Sequence, residues 1–63
     1  MQAKTRAGSP VEILNMTDEH WYGTYDSGAY GKIPVRWETT GIYFVGRTCS
    51  LDLVELDGNK LLT

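Results

Sequence analysis

The chain has 63 residues, of which 41% are hydrophobic and 22% charged, with one cysteine and one histidine. One cysteine excludes an internal disulfide, and one cysteine with one histidine cannot fill a four-ligand zinc site without carboxylates. The net charge of −2 argues against nonspecific binding to nucleic acid, which needs dense Lys and Arg. A chain this short is expected to form one small domain, residues 1–63, and buries only about 60% of its unfolded surface. The ligand count predicts no metal, and no cofactor is expected.

Turn residues and alternation predict the first strands. Ala7–Pro10 is a turn cluster, and Lys4–Arg6 is expected to pair back across it as a short strand. In Val11–Leu14, apolar Val11 and Ile13 share one face, which predicts the first long strand.

A second strand is predicted over His20–Tyr25, which is rich in aromatic residues that favour strands. Gly23 within it indicates a bulge or a close approach of another backbone. The flanking segments, Asn15–Glu19 and Asp26–Gly31, have the composition of loops.

The segment Lys32–Val45 is predicted to be a central hairpin. Apolar and polar residues alternate from Lys32 to Glu38, Thr39–Gly41 interrupts the pattern, and Ile42–Val45 is again β-branched and aromatic. Two such runs joined by a short glycine-containing link are typical of a β-hairpin.

The last predicted strand is Leu51–Leu56, preceded by a turn at Gly46–Ser50. Asp57-Gly58 is a hairpin signal, after which Lys60–Leu62 is expected to fold back. Five to six short strands, with turns about every 8–10 residues and no helical period, predict an all-β fold, a small antiparallel barrel or roll that is SH3-like. The predicted core is Val11, Ile13, Trp21, Ile33, Val35, Trp37, Ile42, Phe44, Leu51, Leu53 and Val54.

This layout resembles a loose group of small phage and prophage proteins of unknown function. The matching residues are Thr5-Arg6-Ala7-Gly8, Val11-Glu12-Ile13-Leu14, Tyr22-Gly23, Trp37 to Gly41, and Leu51-Asp52-Leu53-Val54. Ala7 stands where that turn is expected to carry an acidic residue. The resemblance implies a compact β-fold and a phage or prophage setting, and it carries over no activity and no site residues.

Two side chains, those of His20 and Cys49, are of types that serve in catalysis. His20 follows Asp18 and Glu19, and a histidine–carboxylate pair can serve as a general base, but this spacing alone favours a surface or loop histidine. Cys49 lies near Arg47, which can lower a thiol pKa, whereas a free cysteine is more commonly a half-buried side chain. With no phosphate-binding or metalloprotease motif present, the sequence predicts a protein that is not an enzyme.

Surplus aromatic residues supply the candidate binding surface. Strand alternation places Tyr22 opposite Trp21, and Tyr43 opposite Phe44, so not all the rings face the core. Exposed tyrosine with arginine is typical of binding hot spots. The candidate partner-binding residues are Tyr22, Tyr30, Arg36, Tyr43 and Arg47.

The leading hypothesis is a non-enzymatic protein-binding module, a phage- or prophage-encoded accessory or inhibitor protein that acts on a host protein or self-associates. A free cysteine, no apolar leader and no run of membrane-spanning length predict the cytoplasm of a bacterial host.

Two alternatives stay open. A small-barrel nucleic-acid binder would gather Arg6, Lys32, Arg36 and Arg47 beside exposed rings on which bases stack. A small-ligand-binding or enzymatic oligomer is less favoured: Ile42-Tyr43 is faintly similar to the Gln-Ile-Tyr of plasmid-borne dihydrofolate reductases, but the glutamine is replaced here by Gly41.

Overall fold

A computed structural model describes residues 1–62; Thr63, the last residue of the predicted domain, lies outside the described residues. The six strands are β1 Gln2–Thr5, β2 Pro10–Met16, β3 His20–Asp26, β4 Lys32–Glu38, β5 Leu53–Leu56 and β6 Asn59–Lys60. They form one antiparallel sheet in the order β4-β3-β2-β1-β5-β6, which leaves β4 and β6 as its edges. The all-β prediction is confirmed. The sheet is not closed into a barrel, so the SH3-like barrel or roll stays a prediction.

The core lies on one face of this sheet, here called the inner face. Its buried apolar members are Ala3, Val11, Ile13, Trp37 and Leu53. Trp37 is 0% exposed, and its indole Nε1–H donates to the carbonyl oxygen of Leu51 at 2.8 Å. This bond satisfies the one polar group of the largest core side chain, so the ring is buried without an unpaired donor.

The chain between β4 and β5, residues 39–52, packs beside β4 instead of forming the predicted second hairpin strand. After the single 3-10 turn Thr39–Gly41, the predicted strand Ile42–Val45 is irregular. The N–H of Tyr43 donates to Asp52 Oδ1 at 2.9 Å. Because this N–H is bonded to a buried carboxylate, it is not available for a hydrogen bond to a neighbouring strand. Phe44, predicted to be in the core, is 50% exposed, so that prediction is wrong.

The predicted strands at the two ends of the chain form, with shifted boundaries. β1 lies inside the sheet, between β2 and β5, so it is not an edge strand. The turn at Asp57 and Gly58 joins β5 to β6, and both residues have positive φ (50° and 83°) as a tight hairpin turn requires. β5 begins at Leu53, whereas the sequence predicted a start at Leu51, because Asp52 is engaged by the preceding segment.

Gly23 marks the predicted close approach of two backbones. It pairs with Ile13 on β2, and a Cβ at Gly23 would overlap the carbonyl oxygen of Glu12. The register of this pair shifts between Ile13 and Asn15, so β2, and not β3, carries the extra residue, Leu14. The bulge lies beside the site, because Leu14 follows buried Ile13 and its side chain is on the outer face.

Candidate functional site

Tyr22 and Arg36 form a cross-strand pair on the outer face of the sheet. They are direct partners in the continuous register of β3 with β4, and both are exposed, Tyr22 to 39%. Their neighbours Trp21 and Trp37 pair on the opposite, inner face. Alternation therefore places a ring and a guanidinium side by side in solvent, as the sequence predicted for these two residues individually.

A shallow recess, here the outer recess, surrounds this pair. Its lining residues are Leu14, Tyr22, Gly23, Thr24, Pro34, Val35 and Arg36. Leu14 is 69% exposed, because alternation along β2 buries Val11 and Ile13 on the inner face and leaves Leu14 on the outer face. An exposed apolar side chain beside tyrosine, proline and arginine is the composition expected of a recognition surface.

A second depression, here the inner groove, lies on the other side of β4. It is lined by Tyr25, Ile33, Pro34, Val35, Arg36, Glu38, Tyr43, Phe44 and Leu51. The rings of Tyr43 and Phe44 meet edge to face with centroids 4.8 Å apart, and the guanidinium carbon of Arg47 lies 5.6 Å from the Phe44 centroid. These contacts form an aromatic wall opposite the edge strand, in which Phe44 is exposed while Tyr43 is half-buried and packs against the core.

The five predicted binding residues thus lie in three places: the outer recess, the inner groove and the loop between β3 and β4. Tyr22 and Arg36 line the outer recess, and Tyr43 lines the inner groove with Arg47 stacked on its wall. Tyr30 is 86% exposed in the loop between β3 and β4 and lines neither depression.

Sequence reasoning missed Leu14, Pro34 and Phe44 as site residues. Pro34 lines both depressions, and a proline in the middle of an alternating strand was an available signal, because proline is confined to sheet edges and bulges. Leu14 also gave a signal, since alternation with buried Val11 and Ile13 places its side chain on the outer face.

The free edge of β4 has backbone groups that point away from the sheet. The N–H of Glu38 donates to Ile42 at 2.8 Å, which is away from β3. In an antiparallel ladder every second residue points to the same side, and the β3–β4 register has no shift, so Lys32, Pro34 and Arg36 also face outward. Pro34 has no N–H, and within residues 1–62 the outward backbone groups of Lys32 and Arg36 bond to no other part of the chain.

Asp52 is a buried carboxylate, 3% exposed, that accepts hydrogen bonds from several parts of the chain. Burial alone would raise the pKa of this carboxyl, but hydrogen bonds from the N–H groups of Tyr43 and Cys49 and from Arg6 outweigh it and lower the pKa. The Arg6 guanidinium, needed by the nucleic-acid alternative, lies 3.3 Å from Asp52 Oδ2. Asp52 therefore acts as a structural anion, and its ion pair partly offsets the charge of the exposed Arg6.

Neither His20 nor Cys49 lies in a catalytic constellation in the described part of the chain. The ring of His20 is 3.6 Å from Glu38 across the strand pair, and not beside Asp18 or Glu19. Cys49 is half-buried, as its sequence context predicted, and its backbone N–H donates to Asp52. No three His, Cys, Asp or Glu residues within 1–62 are placed to hold a metal ion.

Comparison with models of protein families, with curated proteins and with solved structures gives no match for this chain. Within residues 1–62 no helix has the length and apolar character required to cross a membrane.

Proposed function

We propose that this chain is a non-enzymatic protein-binding module, and that it binds its partner with the outer recess around Tyr22 and Arg36. The observation that carries the proposal is the pairing of an exposed tyrosine and an exposed arginine beside a solvent-facing Leu14. Tyrosine and arginine are enriched in binding hot spots, and apolar patches on small monomers commonly mark interaction surfaces. The resemblance to phage and prophage proteins favours a bacterial host protein as the partner.

The backbone beneath the outer recess is also suited to a binding site. Gly23 and the bulge fix the backbone beneath it, so the exposed side chains stand on a rigid sheet and not on a loop. A rigid base lowers the entropy lost on binding. Tyr30 lies in the loop between β3 and β4 and lines neither depression, so it is left outside the proposed interface.

The test is affinity capture from nuclease-treated bacterial lysate with immobilised protein. We expect a discrete protein to be retained by the wild type and lost by the double variant Tyr22→Ser with Arg36→Ala. The matched control is Tyr30→Ser with Lys60→Ala, which removes an exposed tyrosine and a cation elsewhere. Equal capture by both double variants, or no specific capture by the wild type, would refute the proposal.

A further inference from the structure

We propose that β4 binds an extended segment of the partner as an added strand, whose alternate side chains enter the outer recess and the inner groove. This inference rests on the proposed function and specifies its binding mode. Pro34, Val35 and Arg36 line both the outer recess and the inner groove. The edge strand β4 therefore forms the ridge between the two depressions.

The backbone of β4 provides the first step. The N–H groups of Lys32 and Arg36, and the carbonyls of Lys32, Pro34 and Arg36, face outward and bond to no other backbone group in the described residues. An edge with free donors and acceptors is a template for strand addition. The missing N–H of Pro34 removes one bond from the middle of the edge, so an added strand bonds mainly on either side of Pro34.

The side-chain environment provides the second step. Successive side chains of an added strand point to opposite faces of the sheet. One set reaches the outer recess beside Tyr22, and the other reaches the inner groove between Ile33 and the Phe44 ring. A ligand strand with apolar side chains on both faces therefore buries all of them, which a one-sided amphipathic strand would not.

Charge and proline identify the occupant as another protein and not a second copy. Two copies paired about Pro34 would meet without a central N–H and would set Lys32 opposite Arg36. Pairing about Arg36 would oppose two guanidinium groups, and like charges directly opposite are destabilising. Any register between these loses the Pro34 bond in each copy.

The same charges indicate the ligand's chemistry. Neither Lys32 nor Arg36 forms an ion pair within residues 1–62, and Asp26, opposite Lys32, accepts from the N–H of Gly28 instead. Lys32 and Arg36 therefore place one unpaired positive charge at each end of the free stretch, with the Asp26 carboxylate across the strand pair from Lys32. The fitting ligand is an extended, apolar segment with an acidic residue at one or both ends.

The experiment uses a displayed library of ten-residue peptides with Asp or Glu near the ends and mixed Val, Ile, Leu and Thr between them. Peptides are selected against the folded chain and compared with scrambled versions. On binding, amide hydrogen exchange at Lys32 and Arg36 should slow. Arg36→Pro should weaken binding about tenfold more than Arg36→Ala, because only proline also removes the outward N–H.

Arg36→Pro is compatible with folding because its N–H does not pair with β3, as for Pro34. Should it fail to fold, N-methylation of alternate peptide nitrogens gives the same information with the wild-type chain. Methylation of the peptide nitrogens that face β4 should abolish binding, whereas methylation of the alternate nitrogens, which face away from β4, should be tolerated.

Other outcomes overturn the inference. Peptides that bind without protecting the Lys32 and Arg36 amides would show docking by side chains alone. A library without binders, while lysate capture still depends on Tyr22 and Arg36, would reject strand addition and keep the proposed function. A dimer in light scattering that protects the Arg36 amide would identify a second copy as the occupant.

Discussion

The guanidinium of Arg6 lies 3.3 Å from the buried carboxylate of Asp52, and the backbone N–H of Arg6 donates to the Asp52 carbonyl at 2.7 Å. The two residues are 46 positions apart in the chain. Their contact joins the turn after β1 to the segment that precedes β5. Because the same carboxylate also accepts from Tyr43 and Cys49, one side chain fixes the irregular wall of the inner groove.

Asp52→Ala is therefore expected to destabilise the fold by about 3 kcal/mol, since it leaves buried N–H donors without an acceptor. Asp18→Ala, at an exposed position, is the control and should change the free energy of unfolding by less than about 0.5 kcal/mol. Urea denaturation followed by tryptophan fluorescence measures both. Equal free energies for the two variants would contradict the role given to Asp52.

The lowered pKa of Asp52 predicts an acid-sensitive fold. A carboxyl whose pKa is lower in the folded than in the unfolded chain stabilises the fold fully above its ordinary value, about 3.9. That stabilisation is lost as the pH falls through the folded-state pKa, because the proton binds the unfolded chain more tightly. Between pH 5 and pH 2 (about the range expected from these values), unfolding free energy should fall more steeply for wild type than for Asp52→Asn. Parallel curves would contradict this assignment.

Alternation predicted β2, β3 and β4 because it is a local property: each side chain's face follows from its neighbours. It also placed Tyr22 and Arg36 on the exposed face. Their pairing was not predictable, since it depends on the register set by the β3–β4 loop. The failure at Ile42–Val45 has the same origin, because a distant buried carboxylate, Asp52, decides where the Tyr43 N–H goes.

Gly23→Ala is expected to unfold or severely weaken the protein. The new methyl group would overlap the carbonyl of Glu12, and backbone in a paired strand cannot move aside cheaply. Gly28→Ala is the matched control: its φ is 78°, but nothing lies within 4 Å of the added carbon. It should lower the free energy of unfolding by only about 1 kcal/mol. Thermal melting compares the two, and similar melting temperatures would show that β2 and β3 do not approach as described.

Thr40→Gly should stabilise the chain. Thr40 has φ of 76°, a left-handed conformation that a β-branched residue adopts at a cost of order 1–3 kcal/mol. Glycine removes this strain but gains freedom in the unfolded chain, so a net gain of about 1 kcal/mol is expected. Thr39→Gly has no such strain to relieve and should destabilise. If both variants melt below the wild type, the strain at Thr40 is refuted.

Leu14→Ser separates binding from stability. Leu14 is 69% exposed at the bulge, so serine should change the free energy of unfolding by less than about 0.5 kcal/mol. It should nonetheless reduce lysate capture, because it removes the apolar side chain of the outer recess. Leu62→Ser, at an exposed position outside that recess, should leave both properties intact. Ile13→Ser, one residue away but buried, should cost about 3 kcal/mol. If Leu14→Ser captures the partner as well as Leu62→Ser does, Leu14 does not contribute to binding and the outer recess is not the partner-binding surface.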